Sequence, residues 1–195
     1  MLNVTKTTLP EVLILEPRKF EDNRGFFSET YNLKRAQDMA GIPTDFVQDN
    51  VSLSKKKGTV RGIHFQKPPF AQDKLVRVLK GRILDIAVDL RQGSPNFGQS
   101  VGVELSSDNF LQLFIPKGFG HAFCTLEDDT EVQYKVTDYY APEHDAGIIW
   151  NDKTLNIQWP FPAESLLLSE KDQILPPFSE LRDFFTYEQV RLETQ

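Results

Sequence analysis

A long region of two-residue periodicity, which begins near residue 46, constrains the fold more than any other feature of this sequence. In the segment RILDIAVDL (82–90), branched apolar residues alternate with Asp85, Ala87 and Asp89, which is the period of a β-strand and not of a helix. Segments of this kind at intervals of about eight to twelve residues are typical of a sandwich or barrel, and their regularity predicts an antiparallel jelly roll. Further strands are predicted at residues 100–105, 110–115, 121–126 and 131–138.

The segments around this region predict tight turns and a few short helices. KLVRVLKGRIL predicts two strands joined by a turn at Gly81, and EVLILEP predicts a short strand near the N-terminus. NLKRAQDMAG (32–41) predicts a helix with Asn32 as its N-cap and Gly41 just past its end. SELRDFFTYEQVRL predicts a terminal helix with Ser179 as its cap.

Length and composition fit one globular domain, mainly β. Of the 195 residues, 39% are hydrophobic and 26% are charged, and the fifteen Phe and twelve Pro suit strands and turns better than a helical bundle. The sequence has no internal repeat and no low-complexity linker. We therefore expect a single domain over residues 1–195, with a core at about 3–178 and a C-terminal extension at 179–195.

Charge and cysteine content exclude several function classes. A net charge of -6 argues against broad nucleic-acid binding, and the basic run at 55–57 favours a solvated turn over a phosphate site. Cys124 is the single cysteine, so no intramolecular disulfide can form, and its apolar surroundings favour a buried thiol over a nucleophile. No apolar stretch approaches the ~20 residues of a membrane span, and the N-terminus lacks a signal-peptide pattern. We expect a cytoplasmic protein without nucleic-acid or membrane partners.

Two segments resemble the motifs of the cupin fold, a small β-barrel. GTVRGIHFQKPPFAQDKLVRVLKG resembles the first motif, with His64 and Gln66 on one face of a strand. IPKGFGHAF, which carries Pro116, Gly118 and His121, resembles the second motif. The resemblance implies a cupin-like antiparallel barrel around a central cavity.

The ligand set of a cupin metal site is incomplete in this sequence. Such sites usually take three histidines and a glutamate, but Gln66 replaces one histidine and Lys74 stands at roughly the position of the acidic ligand. An ammonium group there would repel a divalent cation, and two histidines without a carboxylate make a weak metal site. We therefore expect no catalytic metal.

A metal-free pocket with histidine, lysine and tyrosine suits proton transfer next to a carbonyl group. His64 can take a proton, the ammonium of Lys74 can stabilise an enolate oxygen, and a tyrosine can return a proton. Tyr134 is predicted to point inward because it shares a strand face with Val132 and Val136. Each of these residues alone is more often a packing or hydrogen-bonded core residue, and their joint occurrence is what favours a catalytic function.

Six segments in consistent order closely resemble the dTDP-4-dehydrorhamnose 3,5-epimerase family, whose members are cofactor-free, cupin-like sugar-nucleotide epimerases. The likeness covers roughly residues 3–178. The six segments are RGFFSETYN, FVQDNVSLSKKKGTVRGIHFQ, QDKLVRVLKGRILDIAVDLR, PKGFGHAF, YKVTDYYAPEHDAGIIWND and LSEKD.

The resemblance implies a reaction and four catalytic residues. The reaction inverts C3 and C5 of dTDP-4-dehydro-6-deoxy-D-glucose and gives dTDP-4-dehydro-L-rhamnose. His64 would be the general base, Asp172 its carboxylate partner, Lys74 the enolate stabiliser and Tyr134 the acid on the opposite face of the ring. Inversion requires this two-sided arrangement, because a single group only exchanges the proton.

The resemblance also implies substrate-binding positions. Arg61 would face the diphosphate, and the ring of Tyr140 would stack on thymine. Asp145 stands where the family usually has glutamate, so its contact rests on a shorter side chain. The other implied binding residues are Arg24, Glu29, Gln48, Asp49, Asn50, Lys74, His121 and Lys171.

Several alternatives remain open at the level of sequence. The same motifs would serve an epimerase that inverts only C3 or only C5 in another deoxysugar pathway. Related ketoisomerases are less favoured, because they lack the RGFFSETYN and SEKD segments that are present here. Two other classes are a metal-dependent cupin oxygenase and a non-catalytic sugar-binding module. The resemblance further implies a homodimer with exchanged N-terminal strands, for which TKTTLPEVLIL would serve as the edge strand.

Overall fold

Two antiparallel β-sheets face each other in the computed structural model, which describes residues 2–42, 45–181 and 185–187. The strands are β1 (Leu2–Lys6), β2 (Leu13–Pro17), β3 (Phe20–Asp22), β4 (Gly25–Phe27), β5 (Gln48–Ser54), β6 (Val60–Gln66), β7 (Lys74–Lys80), β8 (Arg82–Asp89), β9 (Ser100–Ser106), β10 (Gln112–Ile115), β11 (Phe119–Thr125), β12 (Thr130–Val136) and β13 (Asp145–Gly147). The helices are α1 (Leu33–Ala40), α2 (Glu170–Gln173) and three short 3-10 helices at Pro142–His144, Ala163–Ser165 and Phe178–Glu180.

The sheet order confirms the mainly β, jelly-roll prediction. The first sheet has six strands in the order β1-β2-β10-β7-β12-β5, the second has five in the order β13-β6-β11-β8-β9, and β3 and β4 form a separate hairpin. Apolar side chains from both sheets fill the space between them, as in other sandwiches. β1 is the edge strand of the six-stranded sheet, and β2 is its neighbour. The segment TKTTLPEVLIL is predicted as an edge strand, but only its first two residues, Thr5 and Lys6, lie in β1.

The turn at Gly81 carries the chain from one sheet to the other. It joins β7 of the six-stranded sheet to β8 of the five-stranded sheet, so the two predicted strands do not pair as a hairpin. Gly81 has a φ of 82°, which favours glycine. The predicted helix is also confirmed: α1 begins after Asn32, whose side chain accepts a hydrogen bond from Arg35 N, and it ends at Gly41 in the left-handed region.

Both faces of the five-stranded sheet are covered. On β8, Ile83 and Ala87 face the inter-sheet core, while Ile86 and Val88 pack under apolar residues of the C-terminal third of the chain. Strand alternation therefore turns Asp85 and Asp89 inward, and both are fully buried. Cys124 is buried as predicted, and burial raises the pKa of its thiol to about 12.

The predicted terminal helix does not begin at Ser179. This residue lies inside the 3-10 helix Phe178–Glu180, whose N-cap is Pro177. Thr186 then forms a parallel bridge with Gln92, and among the described residues after Glu180 helical conformation begins only at Tyr187. The remainder of the predicted helix lies outside the described residues. Across the described ranges, no helix combines the length and apolar character that a membrane crossing requires.

Candidate active site

A cavity of about 540 Å³ opens between the two sheets, a volume within the usual range for small-molecule sites. Strand alternation turns one row of side chains on each of several strands toward it. The structure brings most of the predicted site residues to its walls. These are Gln48, Asn50, Arg61, His64, Lys74, His121, Tyr134, Tyr140, Asp145, Lys171 and Asp172.

His64 and Asp172 form a close pair at one wall. His64 lies on β6, and its Nε2 is 2.6 Å from Oδ1 of Asp172 on α2. The Asp172 side chain is only 4% exposed, whereas that of His64 is 31% exposed toward the cavity. Ser169 caps α2 by accepting a hydrogen bond from the backbone N–H of Asp172. This short capped helix therefore fixes the carboxylate behind the imidazole.

Asp172 is held in its charged form although it is buried. Burial alone would raise the pKa of its carboxyl group, but hydrogen bonds from His64, Ser169 and the backbone of Gly62, together with the charge of His64, lower it below its usual value. A charged carboxylate next to an imidazole orients the ring and stabilises the imidazolium that forms when the ring takes a proton.

Lys74 is a buried amine at the floor of the cavity. It begins β7, it is 9% exposed, and its Nζ lies 3.5 Å from the backbone oxygen of His64. Burial lowers its pKa to about 8, while the charges of Asp85 and Asp145 oppose that shift. The amine is therefore mostly charged at neutral pH and becomes neutral in mildly alkaline solution.

Tyr134 faces the cavity from the sheet opposite His64. It lies on β12 between the buried Val132 and Val136, as predicted, and packs against the inter-sheet core. Burial raises the pKa of its phenol, and Asp145 adds to this effect, while the nearby charge of Arg61 opposes it. The phenol therefore keeps its proton at neutral pH and can act as a proton donor.

His121 lies beside His64 and has a carboxylate of its own. The two histidines are cross-strand partners on β11 and β6. Nε2 of His121 is 2.7 Å from Oδ1 of Asp85, whose other oxygen, Oδ2, is buried without a hydrogen-bond partner. Burial lowers the pKa of His121, against the raising effect of Asp85. Sequence reasoning missed Asp85 as a site residue, although an aspartate in the middle of an apolar strand was a usable signal.

Arg61 and two amides form the end of the cavity that could hold a phosphate group. Arg61 donates hydrogen bonds from Nε to Ser54 Oγ and from a terminal nitrogen to Leu53 O, both at 3.2 Å. Gln48 Nε2 donates to Asn50 Oδ1 at 2.9 Å on the neighbouring wall. The guanidinium is thus held at the rim with further donors available for an anion.

An exposed aromatic ring and an ion pair stand at the mouth. The hydroxyl of Tyr140 donates to Oδ2 of Asp145 at 3.3 Å, and Lys171 Nζ donates to the same oxygen. Asp145 raises the pKa of both partners. The shorter carboxylate at this position therefore still reaches the tyrosine and the lysine.

Three predicted binding residues lie outside the cavity of this chain. Arg24 is in the β3–β4 hairpin, where it pairs with Asp22, and Glu29 pairs with Arg35. Asp49 lies between two cavity-facing residues of β5, so strand alternation turns it to the outer face, where it binds Lys135 at 2.8 Å.

The side chains around His64 do not form a cupin-type metal site. Gln66 uses both ends of its amide for backbone hydrogen bonds, and the amine of Lys74 lies where an acidic ligand would be needed. Among the residues that the structure describes, no three His, Cys, Asp or Glu side chains are grouped to hold a metal ion.

Comparison with known proteins gives one consistent result. A family model described as dTDP-4-dehydrorhamnose 3,5-epimerase matches residues 6–180. The protein of that name from Escherichia coli (strain K12) is 52% identical over 180 residues, which cover 92% of this chain and 96% of the relative.

Solved structures agree with this match. The crystal structure of dTDP-4-dehydrorhamnose 3,5-epimerase from Bacillus anthracis, with TDP and PPi bound, is 51% identical with a TM-score of 0.87 and covers 91% of this chain and 99% of its own. The Legionella pneumophila dTDP-6-deoxy-D-glucose-3,5-epimerase, in complex with dTDP-4-keto-L-rhamnose, is 43% identical with a TM-score of 0.91. The match covers 96% of this chain and 99% of that structure's chain. The chain therefore belongs to the dTDP-4-dehydrorhamnose 3,5-epimerase family.

Proposed function

We propose that this protein converts dTDP-4-dehydro-6-deoxy-D-glucose into dTDP-4-dehydro-L-rhamnose by inverting C3 and C5. The observation that carries the proposal is the placement of His64 and Tyr134 on opposite walls of one cavity, with Lys74 on the same wall as Tyr134. A proton can thus leave one face of a sugar ring and return to the other. The names of relatives at about half sequence identity support both inversions as the reaction.

In the proposed mechanism, His64 is the general base. Its Nε2 is bonded to Asp172, so Nδ1 is the nitrogen that takes the proton from the carbon next to the C4 ketone. The electron pair of the broken C–H bond moves to the ketone oxygen, and the Lys74 ammonium stabilises the enolate. Asp172 stabilises the imidazolium that forms.

Reprotonation completes each inversion. Tyr134 donates its phenolic proton to the same carbon from the opposite face, and the enolate electrons return to form the new C–H bond. The tyrosinate and the imidazolium then exchange protons with solvent, which restores both groups. The same cycle at the second carbon gives the doubly inverted product, so the net reaction consumes and releases no proton.

We propose that the other cavity residues hold the nucleotide sugar. Arg61 binds the diphosphate, while Gln48 and Asn50 supply amides beside it, and Tyr140 stacks on thymine. The sugar end is proposed to lie near His121, Asp145 and Lys171. The support for these roles is their position on the walls and mouth of the cavity that holds His64.

We further propose that the protein works as a homodimer. Phe26 and Phe27 are exposed in the β3–β4 hairpin, and Val51 is 62% exposed on the outer face of β5; exposed apolar patches of this kind mark interaction surfaces. Arg24 and Glu29 lie in or beside the same hairpin, which would bring them to the cavity of a second copy. Sedimentation at working concentration tests this, and a monomer that retains full activity would contradict it.

We infer that the enzyme needs no metal or other cofactor. The support is the donor set: the amide of Gln66 is taken up by backbone hydrogen bonds, and Lys74 is a buried cation that would repel a metal ion. Retention of full activity after chelation is the expected result, and loss of activity that zinc or iron restores would contradict it. The single cysteine is consistent with a proposed place in the reducing cytoplasm.

Two variants test the proposed roles. We expect His64→Ala and Tyr134→Phe to bind dTDP as the parent does, because neither residue lies at the nucleotide end. Turnover of the ketosugar should fall about 10²–10⁴-fold in each, the usual contribution of a general acid or base. Calorimetry with dTDP and NMR of the sugar measure the two quantities. Unchanged turnover in either variant would remove that residue from the mechanism.

A further inference from the structure

Side chains of three glutamines hold the backbone of the loop that carries Tyr140. This loop, 138–141, connects β12 to the 3-10 helix Pro142–His144. Two of its carbonyls accept hydrogen bonds: Asp138 O from Gln72 Nε2 at 2.7 Å, and Tyr139 O from Gln66 Nε2 at 3.1 Å. Two of its N–H groups donate: Tyr140 N to Gln48 Oε1 at 3.1 Å, and Ala141 N to Gln66 Oε1 at 2.8 Å.

Gln66 is the centre of this arrangement. It is only 5% exposed, and besides Tyr139 and Ala141 it also binds Phe70 O at 2.7 Å. A primary amide accepts through its oxygen and donates two hydrogen bonds through its nitrogen, so Gln66 can hold an N–H and two carbonyls at once. A glutamate could not donate to the carbonyls, and a histidine could not make all three bonds.

Gln72 adds a second tether from the segment before β7. Its single bond to Asp138 O fixes the start of the loop, while Gln66 fixes the end. Both residues line the cavity beside His64, but neither has a part in the proton transfers described above. Gln48, the third member, already belongs to the proposed nucleotide end.

The ring of Tyr140 depends on this backbone for its position. It is 58% exposed, so it has little packing to hold it. Its hydroxyl bond to Asp145 lies at the exposed mouth of the cavity and, at 3.3 Å, is longer than a usual O–H···O hydrogen bond, so it holds the ring weakly. A ring that must stack on a base needs a fixed plane, and ordering it on binding would reduce affinity.

We propose that Gln66 and Gln72 are positioning residues that hold Tyr140 in place for the nucleotide base, which makes them determinants of nucleotide affinity and not of the chemical step. This inference rests on the proposed function, because it takes a nucleotide as the ligand. In metal-binding cupins this position carries a metal ligand. Here Gln66 instead links β6, the strand that carries His64, to the loop that carries Tyr140.

The test uses Gln66→Met and Gln72→Met, which keep side-chain length and remove the amide. We expect the Kd for dTDP and the KM for the ketosugar to rise about tenfold in Gln66→Met, and less in Gln72→Met, with kcat within about twofold of the parent. Hydrogen exchange should show faster exchange of the Ala141 amide in Gln66→Met, because its acceptor is gone.

Asn109→Leu is the matched control. The Asn109 amide also makes three backbone bonds, to Glu104 O, Ser106 N and Leu111 N, but in the β9–β10 turn away from the cavity. We expect lower thermal stability in this variant with unchanged Kd and KM.

Two results would overturn the inference: parental dTDP affinity in both methionine variants, or a fall in kcat with unchanged KM. If Gln66→Met does not fold, Gln72→Met decides the question alone. A parent protein that binds dTDP but epimerises no ketosugar would refute the proposed function and leave the affinity comparison decisive for the glutamines. A parent that does not bind dTDP would overturn both.

Discussion

At the scale of single residues, the chemistry of the cavity depends on which charges the fold buries. Lys74 and Asp172 are both buried and both have a lowered pKa, but the effect on the charged form is opposite: burial destabilises the charged lysine, while hydrogen bonds stabilise the charged aspartate. The cavity therefore contains a carboxylate that stays charged and an amine that titrates near the working pH. These two properties give predictions that activity measurements can check.

The first prediction concerns the alkaline limit of activity. Burial lowers the pKa of Lys74 to about 8, so the ammonium that we propose as the enolate stabiliser is present below that pH and is lost above it. We expect kcat to fall as pH rises through about 8. The pKa of Tyr134 is raised above its ordinary value of 10.0, so the tyrosine stays protonated in this range. A pH–rate profile measured by NMR checks this, and a kcat that is flat up to pH 9.5 would contradict it.

The second prediction uses Asp85→Asn to shift the pH at which kcat falls on the alkaline side. The charge of Asp85 raises the pKa of Lys74, so its removal should move the alkaline limb to lower pH. His121 loses the charge of its partner in this variant, and a smaller maximal rate is expected as well. An alkaline limb at the parental pH would show that Asp85 does not influence the amine.

The third prediction concerns the partner of the catalytic base. In Asp172→Asn, an amide that cannot carry negative charge replaces the carboxylate 2.6 Å from His64 Nε2. We expect kcat to fall by about 10²-fold with dTDP affinity unchanged, because the ring loses both its orientation and the stabilisation of its charged form. A kcat within threefold of the parent would contradict the proposed pairing.

Motifs predicted the cavity residues well where the residue types themselves carry the chemistry. The placement of His64, Lys74 and Tyr134 on one cavity follows from strand alternation and the cupin-like spacing. Asp85 could not be assigned in this way, because its role depends on cross-strand register with His121. For Asp49 the motif predicted a binding residue that the structure does not place in the cavity. It lies in the triplet Gln48-Asp49-Asn50, but strand alternation turns its side chain to the outer face.

At the scale of elements, the contact between β6 and β11 brings His64 and His121 together and requires a glycine. At Gly62, which has a φ of 116°, an added Cβ would lie 2.5 Å from His121 O and 2.7 Å from Ala122 Cβ. The close approach of these two strands sets the distance between the two histidines. The sequence carried Gly62 within VRGIHFQ, but nothing in its pattern revealed the close approach.

The fourth prediction compares two glycines of similar conformation. Gly25 has a φ of 128° with no atom within 4 Å of an added Cβ, so Gly25→Ala should cost only backbone strain, about 1–3 kcal/mol. Gly62→Ala adds a steric clash and should lower the free energy of unfolding by about 1–3 kcal/mol more than Gly25→Ala does. Urea denaturation measures both, and equal losses would contradict the account of the strand contact.

Strand periodicity predicted the elements from residue 46 to 138, but not which sheet each joins. The turn at Gly81 looks like a hairpin in the sequence and instead changes sheets. The segment after residue 150 gave the weakest pattern, because its described residues form two isolated bridges in place of strands and pack as an irregular layer over the five-stranded sheet. That layer nevertheless supplies Asp172, so one member of the proposed catalytic pair came from the region where local patterns predicted least.

At the scale of the whole molecule, the fold provides two walls of different character. The six-stranded sheet contributes Lys74 and Tyr134, and the five-stranded sheet contributes His64 and His121. A sugar ring between the sheets would therefore meet a base on one side and an acid on the other. The single domain over residues 1–195, with an extension from 179, stays a prediction, since residues 182–184 and 188–195 lie outside the described ranges.

The most direct test of the account is the fate of the two carbon-bound protons. Incubation of dTDP-4-dehydro-6-deoxy-D-glucose with the enzyme in D₂O, followed by NMR, reports both exchange and configuration at C3 and C5. We expect deuterium at both carbons together with inversion at both. Deuterium at one carbon alone would indicate an enzyme that inverts a single centre, and no deuterium at either carbon would contradict proton abstraction beside the ketone.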